Sequence, residues 1–159
     1  MPSLQVSSQL LKQIYNHAEQ AYPHECCGLL MGRLETAENK ILVEVLPTEN
    51  AWNEEAAEDF EPLKTTGKPI TTTERRYTIA PEVLLNAQKQ GRDRQLSMIG
   101  IYHSHPDNSA IPSEFDRVYA WQGYSYIIVS VQQGKAADLR SWYLDPQHQF
   151  QPEDIRLID

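Results

Sequence analysis

The spacing of hydrophobic and polar residues predicts a chain in which strands and helices alternate. Apolar side chains recur at helical spacing over residues 8–22, where Ser7 or Ser8 can cap the start and Pro23 ends the helix. Short apolar runs bounded by turn residues predict strands. These strands cover residues 26–34, 41–46, 77–79, 96–105, 124–131 and 138–144.

Two further helices follow the same periodicity. Pro81 suits the first position of a helix that runs to about residue 90, and Gly91 is expected to terminate it. Another helix is predicted over residues 113–122, and the tail from 145 to 159 is expected to add an edge strand. This mixture of strands and helices predicts an α/β fold, with a mixed β-sheet flanked by helices.

Residues 47–76 break the pattern, because they are acidic at first and then rich in Thr, Pro and Gly, with no clear period. We predict that they form an insertion loop within a single domain that spans residues 1–159. Two interpretations of this loop stay open. It is either a solvated surface segment or a flap that helps to hold an extended substrate tail.

The composition is that of an ordinary globular protein, with 40% hydrophobic and 23% charged residues among 159. No apolar run approaches the roughly 18 residues of a membrane span, and no signal peptide is visible, so we expect a cytoplasmic location. The net charge of −8 disfavours nucleic acid as a partner.

The two cysteines, Cys26 and Cys27, are adjacent in the chain. A disulfide between neighbours is strained, so reduced thiols are expected. One of them is explained as a buried strand residue, and the alternative is that one supplies a fourth metal ligand, which would close a metal site.

The string HSHPDNSAIPSEFD, residues 103–116, is the strongest chemical signal in the chain. His103 and His105 are two residues apart at the end of an apolar strand, so their side chains point to one face about 6–7 Å apart. With Asp116 they form a set of three zinc ligands. Three protein ligands leave one position open for water, as in hydrolytic rather than structural zinc sites.

Asp116 and Ser113 also have a purely structural interpretation. Ser113-Glu114-Phe115-Asp116 has the form of a capping box, in which Asp116 reaches back to the backbone N–H of Ser113. Ser113 would then be an N-cap, worth about 1 kcal/mol. In the functional interpretation, its hydroxyl stabilises an oxyanion, a contact worth about 3 kcal/mol in a transition state.

A hydrolytic zinc site also needs a general base. Glu25, in the string PHECCG between the first helix and the first predicted strand, is one candidate. The spacing alone does not select it, because the chain has many acidic residues.

These motifs together resemble the JAMM (MPN-plus) metalloproteases. The family pattern has an upstream glutamate, then H-S-H-P, then S-x-x-D with ten residues between the second histidine and the aspartate. The string HECCGLLMG is similar to the glutamate-bearing first strand of prokaryotic members. The resemblance extends from the first helix to about residue 144, and it implies the JAMM/MPN fold, which is cytidine deaminase-like.

By this resemblance, His103, His105 and Asp116 hold Zn²⁺, Glu25 is the general acid and base, and Ser113 stabilises the oxyanion. The family hydrolyses the bond after the C-terminal Gly-Gly of a ubiquitin-like protein, and compact prokaryotic members resemble enzymes that process sulfur-carrier proteins. Two alternatives are a non-catalytic MPN-type scaffold and a zinc deaminase. The intact motif argues against the first. The second needs H-x-E together with P-C-x-x-C, and this combination does not occur because the two cysteines are adjacent.

Overall fold

The computed structural model describes residues 2–51 and 77–159, so most of the predicted insertion at 47–76 lies outside the described residues. Residues 47 and 48, which the sequence pattern assigned to that insertion, belong to a strand. The described elements are, in chain order, β1 (Ser3–Val6), α1 (Ser8–Ala21), β2 (Cys27–Leu34), β3 (Asn39–Thr48), α2 (Pro81–Asp93), β4 (Ser97–Pro106), α3 (Glu114–Val118), β5 (Ser125–Gln132), β6 (Lys135–Leu144) and β7 (Phe150–Leu157).

The strands form one mixed sheet that closes into a barrel in the order β1-β3-β2-β4-β5-β6-β7. The β4–β5 pair is parallel, as are both pairings of β1, and the other pairs are antiparallel. The predicted α/β class with a mixed sheet and flanking helices is therefore confirmed. The tail forms the predicted strand, β7, but its predicted edge position is wrong, because β7 pairs with β6 on one side and with β1 on the other.

The apolar core lies on both faces of β2. Leu30 packs in one cluster with Ile14 and Ala18 of α1, whereas Leu29 and Met31 pack in a second cluster with α2. Alternate side chains of a strand point to opposite faces, which explains why an unbroken apolar run is needed here. None of the helices in the described ranges has the length and apolarity to cross a bilayer.

The local predictions for residues 77–79 and for Gly91 are wrong. Residues 77–80 form no strand; the backbone of Thr78 bonds instead to Ala51 and to the side chain of Asn50. Helix α2 continues past Gly91 to Asp93. Gly91 is buried there, and a Cβ atom on it would lie 2.7 Å from both the Leu96 carbonyl oxygen and the Met31 side chain.

The helix predicted over residues 113–122 is also shorter than expected, and strand β1 was not predicted. Helix α3 ends at Val118, and the backbone N–H of Trp121 donates to the hydroxyl of Tyr126 at 2.7 Å. Strand β1 has four residues, too few for a clear alternation, and its partners β3 and β7 are distant in sequence.

Gly100 allows β4 to lie close to its two neighbours, and we predict that Gly100→Ala destabilises the fold. A Cβ atom at this position would lie 2.1 Å from the backbone oxygen of Ser125 in β5 and 3.0 Å from Leu30 in β2. Overpacking of this kind costs about 1–3 kcal/mol. Urea unfolding measures the loss, and Ser97→Ala, at an exposed position of the same strand, is the control with an expected change below about 0.5 kcal/mol.

Candidate metal centre

His103 and His105 lie near the end of β4, and their side chains meet as the two-residue spacing predicted. Their Nε2 atoms are 3.1 Å apart, and the side chains are 1% and 11% exposed. Strand β4 is paired with β2 and with β5, which fixes the direction of both side chains. The two histidines therefore form a preorganised pair at a strand end.

Ser104, between the histidines, points to the opposite face and links β4 to the start of β2. Its hydroxyl accepts the backbone N–H of Cys26 at 2.8 Å, and its own N–H donates to the Cys26 carbonyl at 3.1 Å. This places the neighbouring Glu25 beside the histidines. Glu25 is 7% exposed, and a carboxylate oxygen lies within 4.8 Å of a ring nitrogen of each histidine.

One oxygen of Asp116 takes part in the predicted capping box and also faces both histidines. The capping box is present: the Ser113 hydroxyl accepts the Asp116 N–H at 3.0 Å, and the Ser113 N–H donates to Asp116 Oδ2 at 2.8 Å. The same Oδ2 is 3.3 Å from His103 Nε2 and 3.2 Å from His105 Nε2. The helix cap thus holds the carboxylate against the histidines.

The three donor atoms fit a tetrahedral metal ion. Bonds of about 2.0–2.2 Å place the ligand atoms of a tetrahedral zinc site about 3.3–3.6 Å apart. The separations here are 3.1, 3.2 and 3.3 Å. His105 Nδ1 lies 2.8 Å from the Ser109 carbonyl, so this nitrogen carries the proton and Nε2 presents its lone pair to the cluster.

Two members of the cluster, His103 and Asp116, have shifted pKa values. Burial lowers the pKa of His103, against the opposing attraction of Asp116. Burial acts to raise the pKa of Asp116, but the two imidazoles outweigh it and hold that pKa well below the usual range. Neutral imidazole and ionised carboxylate are the forms that coordinate divalent cations.

Neither cysteine joins this cluster. The Cys27 thiol lies 3.4 Å from the Thr48 hydroxyl and 3.8 Å from the Glu49 carbonyl, and both cysteines are buried and free. Burial raises the pKa of Cys26 to about 11 and that of Cys27 to about 12, so both are protonated thiols at neutral pH. Cys26 lies just before β2 and Cys27 is its first residue, and the environment of both is that of inert buried thiols rather than of metal ligands or nucleophiles.

Two cavities meet at the cluster, and Tyr77, Phe115 and Asp116 line both. The first is a polar cleft of about 550 Å³, which also contains Glu25 and Ser113. The second is a pocket of about 280 Å³ with a mainly apolar and aromatic lining. An extended chain that crosses the cluster can therefore contact both a polar and an apolar surface.

Comparison with known proteins identifies the family. Residues 7–145 match the prokaryotic homologues of the JAB domain. The chain belongs to this family. The JAMM/MPN resemblance carried by the histidine motif is thereby confirmed, in its prokaryotic form.

Individual relatives of this JAB-domain protein show the same fold. A protein from Desulfitobacterium hafniense superposes with a TM-score of 0.76 at 25% identity, over 98% of this chain and 93% of its own. A structure described as JAMM, a metalloprotease-like zinc site in the proteasome and signalosome, superposes with a TM-score of 0.54 at 17% identity, over 99% of each chain. At that identity the likeness concerns the fold alone.

One curated relative is a desampylase from Haloferax volcanii, which is 36% identical over 55 residues. The match covers 34% of this JAB-domain chain and 40% of the desampylase, so the chain spans about two fifths of that relative's length.

We expect the chain to bind one Zn²⁺, and the two roles of Asp116 to be separable by mutation. Asp116→Asn keeps an oxygen that can cap the helix but removes the charge, so zinc affinity should fall by at least about 100-fold with little loss of stability. Ser113→Ala should show the converse, with a loss of about 1 kcal/mol in stability and a small change in zinc affinity.

Calorimetric titration with zinc and urea unfolding of the metal-free protein measure the two quantities. His148→Ala is the control for zinc affinity, since His148 lies outside the donor cluster in the described structure. Equal losses of zinc affinity in Asp116→Asn and Ser113→Ala would contradict the separation of roles.

Proposed function

We propose that this JAB-domain protein is a zinc-dependent peptidase or isopeptidase. Its substrate would be a ubiquitin-like or sulfur-carrier protein, cleaved after the C-terminal Gly-Gly in the cytoplasm. The observation that carries the proposal is the convergence of three metal donor atoms at 3.1–3.3 Å, with the Glu25 carboxylate beside them. The partial similarity to a desampylase supports a hydrolytic reaction on this class of partner.

In this proposal, His103, His105 and Asp116 hold the zinc ion. Zinc, when bound, supplies Lewis acidity that activates a water molecule and polarises the scissile carbonyl. Asp116 is assigned as the third ligand, in preference to Glu25, because its Oδ2 completes a tetrahedral set of distances. That oxygen is also held in place by the Ser113 N–H.

Glu25 is then available for proton transfer. It takes a proton from the attacking water and delivers that proton to the departing amine, so that one water and one amide become a carboxylic acid and an amine, which ionise to a carboxylate and an ammonium group. The Glu25 backbone is held by Asn50, whose amide donates to the Glu25 carbonyl at 2.9 Å. This contact keeps the carboxylate at the cleft while its charge changes.

The Ser113 hydroxyl serves the carbonyl oxygen that gains negative charge. It already accepts the Asp116 N–H at 3.0 Å, but a hydroxyl has one proton to donate besides its two acceptor lone pairs. Ser113 can therefore cap the helix and stabilise the oxyanion at the same time. It lines the same polar cleft as Glu25, where the substrate carbonyl would lie.

The decisive experiment follows the mass of Gly-Gly-tailed sulfur-carrier proteins that are extended by cysteine or by a short peptide. We expect cleavage after the second glycine, and no cleavage in the presence of a chelator. Glu25→Gln should lower kcat by about 10²–10⁴-fold while the protein retains zinc, because the proton carrier is lost but the ligands remain.

Glu49→Gln is the matched control. Glu49 is an exposed glutamate that follows β3, next to the start of β2, and this variant should retain full activity. Loss of zinc in Glu25→Gln would overturn the ligand assignment. A protein that holds zinc but cleaves no such tail would favour the non-catalytic scaffold.

A further inference from the structure

The two imidazoles of the candidate metal centre are held in different ways. His105 is oriented by a hydrogen bond from its Nδ1–H to the Ser109 carbonyl at 2.8 Å. His103 Nδ1 is buried and has no hydrogen-bond partner in the described part of the chain. Histidine ligands are normally oriented by a hydrogen bond from the second ring nitrogen, so His103 needs another means of support.

The support is an aromatic ring. Tyr77 stacks on His103 with ring centroids 4.4 Å apart and an interplanar angle of 24°. The His105 ring is tilted by 57° relative to the His103 ring, at a centroid distance of 4.9 Å, and does not stack on it in this way. A face-to-face contact restricts rotation of the imidazole about its side-chain bonds, because any rotation would drive it into the tyrosine ring or away from it.

The stack also suits the charge of a metal-bound histidine. Coordination draws electron density from the imidazole and leaves it partly positive. The π face of a tyrosine attracts such a group, as it does a cation. Since the contact strengthens when the ion binds, its free energy contributes to metal affinity rather than only to folding.

We propose that Tyr77 is a positioning residue for the metal centre, whose ring holds His103 in the metal-binding orientation. This inference rests on the proposed function, because it requires His103 to be a ligand. Tyr77 lies in the segment 77–80, which follows the predicted insertion and has no regular secondary structure. It also lines both cavities, so its position links the metal centre to the substrate surface.

The test compares the zinc affinity of full-length variants by competition with a chromophoric chelator. Tyr77→Leu should bind zinc about 10–100-fold more weakly, as expected for loss of a residue that orients a ligand. Tyr77→Phe should stay within about twofold of the wild-type affinity, because it keeps the ring. Tyr124→Leu is the matched control, since Tyr124 lines the same apolar pocket but stacks on Trp121.

A second measurement keeps the test informative if Tyr77→Leu does not fold. Tyr77→Met removes the ring but supplies an unbranched, more adaptable side chain, and its cobalt-substituted form should show altered visible absorption bands, whereas Tyr77→Phe should not. Wild-type affinity in a folded Tyr77→Leu or Tyr77→Met variant would overturn the inference and leave the proposed function intact. An equal loss of zinc affinity in Tyr77→Phe would also overturn the inference. A wild-type protein that binds no zinc would overturn the proposed function, and the inference with it.

Discussion

The candidate centre depends on the pairing of strand β4 with a neighbour on each side. The parallel contact with β5 and the antiparallel contact with β2 leave the strand no freedom to rotate, so His103 and His105 face one side and Ser104 faces the other. Ser104 then binds the Cys26 backbone and brings Glu25 to the same end of the sheet. Strand β4 thereby places the two histidines and also positions Glu25, which lies on the loop before β2.

Asp116, in the first turn of helix α3, joins His103, His105 and Glu25 at the candidate centre. The helix has only five residues, and a helix so short gains little from its internal hydrogen bonds. In the capping box the Ser113 hydroxyl accepts the Asp116 N–H, and the Asp116 oxygen that accepts the Ser113 N–H is the one facing the histidines. Local stability and the geometry of the centre are therefore two consequences of one contact, which removes the conflict between the structural and functional interpretations of Asp116.

The strongly periodic elements were predictable from sequence because their burial follows from their own residues. Helix α1 and strands β2, β4 and β5 each carry an apolar pattern that matches the observed packing. The errors fall where a neighbour decides the outcome. Gly91 is a packing residue inside α2, where Leu96 and Met31 leave no room for a side chain. Strand β7 is an inner strand because β1 pairs with it, and Thr78 bonds to Asn50 and Ala51 rather than to a strand.

The residues of the candidate centre also differ in whether the sequence could predict them. The residue types and the spacing of His103, His105 and Asp116 were predictable, since all three lie within one segment whose strand and helix periods are local properties. Glu25 was identifiable only through family resemblance, and no pattern pointed to Tyr77. The tertiary structure decided that these two residues meet the histidines, because contacts between residues far apart in the chain depend on how the whole sheet closes rather than on any local period.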